Sequence, residues 1–249
     1  MAVSVCDVRT NGTSRDLTRY GRPDFPVACF EDDMRRITVP VHWHEEYEYI
    51  IATAGAVTLR LGTDTLVLRE GEAVLLNSGC LHGVAPVTEG VSVLRSLVIL
   101  PRLIGGSGDC CIWQRLIVPL ARPDAPDYLP IPGSEDWQRE ASALMLRAWD
   151  AVTAESWDYE NEARYLIARA LRLAVEHCPF GTPRRDDPAA ARVKQALAFI
   201  EAHYMEDIGN PTLTELCACS ESVLLRSFRQ IVGCAPMQYV LRYRIDRAA

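Results

Sequence analysis

Apolar and polar residues alternate with a period of two along TLRLGTDTLVLREGE, residues 58–72, as in strands with one buried face. Short β-branched runs at 27–30, 48–52, 57–61, 65–68, 73–76 and 91–100 predict strands. Turn signals separate them at Ala54-Gly55, Gly62-Thr63-Asp64, Glu70-Gly71-Glu72 and Asn77-Ser78-Gly79. Many short strands at this spacing predict a sandwich or barrel. After a Pro-rich loop at 121–132 the period becomes helical. Trp137, Ala141, Leu144, Met145, Ala148 and Trp149 form one stripe over 134–152, with Ser134 as the expected N-cap. Tyr159, Ala163, Leu166, Ile167, Ala170, Leu171 and Ala174 form another over 155–177. Two amphipathic helices joined by a short turn predict a helical hairpin. Residues 181–188, GTPRRDDP, form a polar, proline-bounded linker. Four helices are predicted beyond it: 189–204, about 212–218, 221–232 with Gly233 as its stop, and one opening at Pro236.

Composition narrows the class. Of 249 residues, 49% are hydrophobic and 24% charged, as in a folded globular chain and unlike a disordered one. The most continuous apolar stretch, around 91–104, is interrupted by Arg95 and Arg102, and it is shorter than the ~20 residues of a membrane helix. The start, MAVSVCDVRT, lacks a basic n-region followed by an apolar h-region, so a cytoplasmic protein is expected. Nine cysteines, an odd number without a Cys-x-x-Cys, read as reduced thiols. Cys217-x-Cys219 has no second Cys or His pair near it in sequence. The net charge of −7 argues against a protein that coats nucleic acid all over. That charge is uneven: from residue 224 onward, five arginines stand against Asp246, a net of +4, which leaves −11 for the rest. Any nucleic-acid surface therefore belongs at the C-terminal end.

Candidate chemistry lies in the β part, where the spacing is His42-Trp43-His44-x-x-x-Glu48, followed by Gly79-x-x-His82. On a strand, His42 and His44 share a face, Glu48 lies an even number of residues on, and His82 would come from a neighbouring strand. Imidazoles with a carboxylate suit a divalent transition metal. The alternatives are histidines that hydrogen-bond an effector, or packed rings. Trp43, Tyr47 and Tyr49 read as packing on the outer face. The segments HWHEEYEYIIATAG and GEAVLLNSGCLH resemble the paired motifs of the cupin superfamily, with Asn77 where proline is common. The resemblance implies a double-stranded β-helix barrel with an internal pocket. That superfamily holds metal-dependent dioxygenases and isomerases as well as metal-free sensors.

In SESVLLRSFRQIVG, Ser220 is a good N-cap, and Leu224, Phe228 and Ile231 would face a core. Ser222, Arg226 and Arg229 form the opposite stripe, beside Val223. A Ser/Arg stripe suits major-groove insertion, although an amphipathic surface helix shows the same pattern. The run from Thr212 to Ala248 resembles the DNA-binding domain of the AraC/XylS family. The resemblance rests on Leu213, Leu216, Ser220, Leu224, Arg226, Phe228, Gly233, Pro236, Tyr239 and Arg244–Ala248. It implies an α+β multidomain chain: a cupin-like effector-sensing domain at 1–105, a helical hairpin at 106–180 for dimerisation, the linker, and a helix-turn-helix domain at 189–249. The implied function is a ligand-responsive, sequence-specific DNA-binding transcription regulator. It would act as a homodimer that takes a small-molecule effector at His42, His44, Glu48 and His82 and contacts DNA through Ser220, Ser222, Val223, Arg226 and Arg229. No cofactor and no catalytic residue are expected. The alternatives are a metal-dependent cupin enzyme using those same four residues, and a truncated sensor that dimerises without binding DNA. Three departures from the family stand out. The family has two helix-turn-helix units and the resemblance reaches only the first, so a truncated form is expected. The segment from Leu216 to Ser220 is about three residues short, nearly one helical turn. Ala235 stands where Ser or Thr usually caps the next helix.

Overall fold

The structure is a computed structural model that describes residues 16, 18–85, 90–122, 124–180, 188–232 and 234–248. The linker at 181–187, the Gly233 stop and the N-terminal segment lie outside the described residues.

Eight strands pair antiparallel throughout. They are β1 (Val27–Asp33), β2 (Val39–His42), β3 (Tyr47–Leu61), β4 (Asp64–Arg69), β5 (Ala73–Leu76), β6 (His82–Val84), β7 (Ser92–Ile99) and β8 (Tyr128–Ile131). Strand β3 is the spine. Its first half lies between β7 and β5, and its second half lies between β6 and β4. One layer therefore runs β1-β7-β3-β5-β8, and the other is built from β2, β6, the end of β3, and β4. The α+β class is as predicted. Among the described residues the barrel is not closed: β1, β2, β4 and β8 each pair with one strand only, so the sheet is bent and open.

The turn expected at Ala54-Gly55 is instead a bend inside β3. The register against β7 slips between Ala52 and Ala54, and Gly55 takes φ +68°. A Cβ on Gly55 would stand 1.7 Å from the Val91 carbonyl oxygen. A glycine can bulge here and redirect the strand without ending it. Gly55→Ala is expected to lower stability by about 2 kcal/mol, read as a lower urea midpoint. An unchanged midpoint would mean that the bulge has other support.

Three strands escaped the sequence pattern. β2 and β6 are too short to show a period. β8 lies in the stretch read as a loop, and its Pro130, opposite Val74, is tolerated because β8 is an edge. Asn77 helps to hold β8 in place: its side-chain amide donates to the Leu120 and Pro126 carbonyls, at 2.7 and 3.0 Å.

Short helices α1 (Pro101–Gly105) and α2 (Val118–Ala121), the latter preceded by one π-helical turn at Trp113–Ile117, lead to the hairpin of α3 (Asp136–Ala154) and α4 (Tyr159–His177). Glu135, not Ser134, occupies the N-cap of α3, and Gln138 reaches back to accept its backbone N–H. Glu155 and Asp158 take left-handed conformations, so α4 opens four residues later than predicted. The predicted stripes pack with Tyr47, Tyr49, Ile51, Leu97 and Ile99 of the sheet, and Tyr49 shares a 2.7 Å hydrogen bond with Ser142. No described helix is long and apolar enough to cross a membrane.

The last helices are α5 (Pro188–His203), α6 (Asn210–Leu216), α7 (Glu221–Ile231) and α8 (Pro236–Ala248). Leu224, Phe228 and Ile231 are fully buried, as predicted, beside Val193, Leu197, Ile200 and Leu213. Val41 and Leu81 of the β part share this core. The shortened link between α6 and α7 turns through Ala218 at φ +48°, with the Cys219 N–H donating to the Thr214 carbonyl. At Ala235, Gln238 Oε1 accepts the backbone N–H at 3.1 Å, so a neighbouring side chain supplies part of the cap.

Candidate functional site

Pairing brings the four predicted residues together. His82 on β6 lies directly opposite His42 on β2. His44 follows at the end of that segment, and Glu48 enters from the first turns of β3's ladder with β5. All four are buried. The three imidazoles each offer a nitrogen, and these nitrogens lie within 4.8 Å of one another.

The orientation of the rings follows from their neighbours. His42 Nδ1 lies 2.9 Å from the Pro40 carbonyl, His44 Nδ1 3.2 Å from that of Glu46, and His82 Nδ1 2.9 Å from that of Cys80. A carbonyl only accepts, so each Nδ1 carries the hydrogen and each Nε2 is directed to the cluster. Glu48 Oε2 stands 3.3 Å from His44 Nε2 and 3.0 Å from His82 Nε2. The second contact is close but off the line of a hydrogen bond, and His82 Nε2 is buried without one.

Electrostatics separates the members. Burial, then the neighbouring His82 and His44, holds His42 well below the usual histidine value, so it is neutral. Burial also opposes charge on His44, but the Glu48 carboxylate outweighs it and raises His44. Burial would raise Glu48, yet contacts from His44 and His82 hold it well below the carboxylate range.

The cluster faces a cavity of about 20 Å³, room for one water or one ion. Besides His42, Glu48 and His82, its wall includes Tyr20, Phe30, Asp32 and Ser96. Tyr20 sets its ring edge-on to His44 at 5.2 Å, and its hydroxyl donates to Asp16. Sequence reading missed Tyr20, Asp32 and Ser96. They carry no motif, and only the curvature of β1 and β7 against β3 brings them to the cavity.

Among the described residues the cysteines do not form a second metal-binding group. Burial pushes Cys29 up to about 12 and also raises Cys217, whose thiol donates to the Arg192 carbonyl. These are thiols, not ready thiolate ligands.

On α7 the predicted division of faces is present. Ser220, Ser222, Arg226 and Arg229 are exposed, Val223 is half-buried, and the apolar stripe is inside. Ser220 holds the N-cap position, but its hydroxyl pairs with Ser222 and not with a helix amide.

A buried imidazole–carboxylate chamber in a bent sheet is thus followed by helices of which α7 exposes a Ser/Arg stripe. Residues 24–109 match the family model of the AraC-like ligand-binding domain. The chain is 22% identical over 239 residues to YdeC, an HTH-type transcriptional regulator of Bacillus subtilis, covering 94% of this chain and 81% of that protein. YbfI of the same organism, also an HTH-type transcriptional regulator, is 22% identical over 217 residues, covering 84% and 72%. Among solved structures, a variant of apo ToxT from Vibrio cholerae aligns with a TM-score of 0.42 and 10% identity over 92% of this chain and 83% of that one. The AraC-like transcriptional activator CuxR aligns at 0.39 and 12% over 90% and 73%.

Proposed function

We propose that this chain is a ligand-responsive, AraC-type transcription regulator that takes its ligand in the chamber behind His42, His44, Glu48 and His82 and reads DNA with the exposed stripe of α7. The observation that carries the reading is the union, in one chain, of an AraC-like ligand-binding domain with a helix whose Arg226 and Arg229 stand free of the core. Such arginines grip guanine edges or phosphates. Effector and DNA affinities then change reciprocally. The relatives named above are regulators, which supports a binding role over an enzymatic one. A homodimer in the cytoplasm, joined through the α3–α4 hairpin, would present two reading helices and raise effective concentration. Exposed Trp157 and Tyr165 on the hairpin support that surface.

The test is DNA binding by fluorescence anisotropy across a salt series. Arg226→Ala is expected to weaken binding about tenfold. Equal binding by the variant, or no salt-sensitive binding by the parent chain, would remove α7 as the reader.

A specific observation favours a divalent metal ion as occupant of the chamber. The buried His82 Nε2 lacks a hydrogen bond, and backbone carbonyls hold all three Nδ1 atoms. Such carbonyls commonly orient metal-binding imidazoles. The cavity also suits an ion better than a drug-sized molecule, which needs roughly 300 Å³ or more. His42, His44, His82 and Glu48 would hold the ion. Metal analysis of the purified chain beside His82→Ala decides it: a stoichiometric metal that disappears in the variant supports the reading, and a metal-free parent chain that does not take up zinc overturns it.

A further inference from the structure

The strand that carries the first two histidines has two working faces. Alternation turns His42 and His44 into the chamber, and it turns Val41 and Trp43 the other way. Those outer residues pack into the core of α5–α8. Leu81, just before His82, does the same. The wall of the chamber is thus also the seat of the DNA-binding helices.

Polar contacts follow the same path. Lys194 on α5, the only lysine of the chain, donates from Nζ to the Gly79 carbonyl at 2.7 Å and lies 5.4 Å from the centre of the Trp43 ring. The Gly79 N–H donates to the His44 carbonyl at 2.8 Å. One residue, Gly79, therefore stands between the His44 backbone and the α5 ammonium. A second path starts at His82, which pairs with Leu61 on β3, while Arg60 pairs with Gly83. Arg60 donates to the Val232 carbonyl just past α7, and Gln230 on α7 donates to the Thr63 carbonyl.

We propose that this seam, with Lys194 at its centre, is the relay by which the chamber sets the placement of α5 and α7 against the sheet. The proposal rests on the chamber being the ligand site. A ligand that draws the histidine rings together shifts the backbone at His44 and His82, and the Gly79 carbonyl moves with it. Lys194 is a positioning residue: it converts that shift into a change in how α5 is held. Packed seams of this kind have discrete arrangements, so a small displacement is passed on and not absorbed.

The test uses amide hydrogen exchange of the full chain and needs neither ligand nor DNA. The chamber is perturbed by His82→Asn and, separately, by His42→Asn. With Lys194 present, each is expected to change exchange across α5 by about fivefold or more, with the α3–α4 hairpin unchanged. In Lys194→Met the same chamber change should fall below about twofold, and Lys194→Arg, which still donates to a carbonyl, should restore it. An α5 that ignores both chamber variants, or responds by the same factor in Lys194→Met, overturns the relay. A separate anisotropy measurement judges the regulator reading, so failure to bind DNA and failure of the relay are distinguishable.

Discussion

Replacing Glu48 with leucine is expected to lower the free energy of unfolding by about 3 to 5 kcal/mol. Glu48 Oε2 is shared by His44 and His82 inside a buried cluster. Leucine removes the acceptor but leaves the imidazoles buried, and this is the case in which a broken buried pair is strongly destabilising. Replacing both sides of such a cluster with apolar residues has a far smaller effect, so the single substitution is the sharper experiment. Urea unfolding with a chelator present, which excludes any contribution from metal, measures it. A variant as stable as the parent would show that the histidines do not depend on the carboxylate, and the chamber would then be ordinary core.

Phe228→Ala is the second large effect. The ring is fully buried among Val193, Leu197, Ile200, Leu213, Leu224 and Ile231. Truncating it leaves a cavity, for about 3 to 5 kcal/mol of lost stability. The α5–α8 core meets the sheet through few apolar residues, chiefly Val41 and Leu81. Amides of α5–α8 should therefore lose exchange protection while those of α3, α4 and β3 keep theirs. DNA binding should disappear in the same variant. Uniform loss of protection over the whole chain would show instead that the sheet and the α5–α8 part unfold as one body.

Much of the architecture was legible because it rests on local periodicity. The stripes Ala141–Leu144–Met145–Ala148 and Ala163–Leu166–Ile167–Ala170 are buried as their spacing requires. So is Leu224–Phe228–Ile231, with the arginines on the other side. Errors fell where backbone geometry overrode residue type. Ala54-Gly55 carries a turn signal, yet in β3 the glycine's freedom serves a bulge that keeps the strand running. Pro130 belongs to a proline-rich run, yet an unpaired edge lets it serve as a strand residue. Ser134 is a good cap by type, but the cap falls one residue later, at Glu135.

For the candidate site, the division between sequence and tertiary structure is clear. The sequence determined that His42 and His44 share a face, because strand alternation is a property of the backbone. It also determined that Arg226 and Arg229 oppose the apolar stripe, because helical spacing is equally local. Only the tertiary structure decided that His82 stands opposite His42, that Asp32, Ser96 and Tyr20 line the same cavity, and that Trp43 meets Lys194. Those meetings depend on pairing and packing between residues far apart in the chain. No periodicity records them, since they arise only when β3 bends and the helices α5–α8 settle on the outer face of the histidine strand.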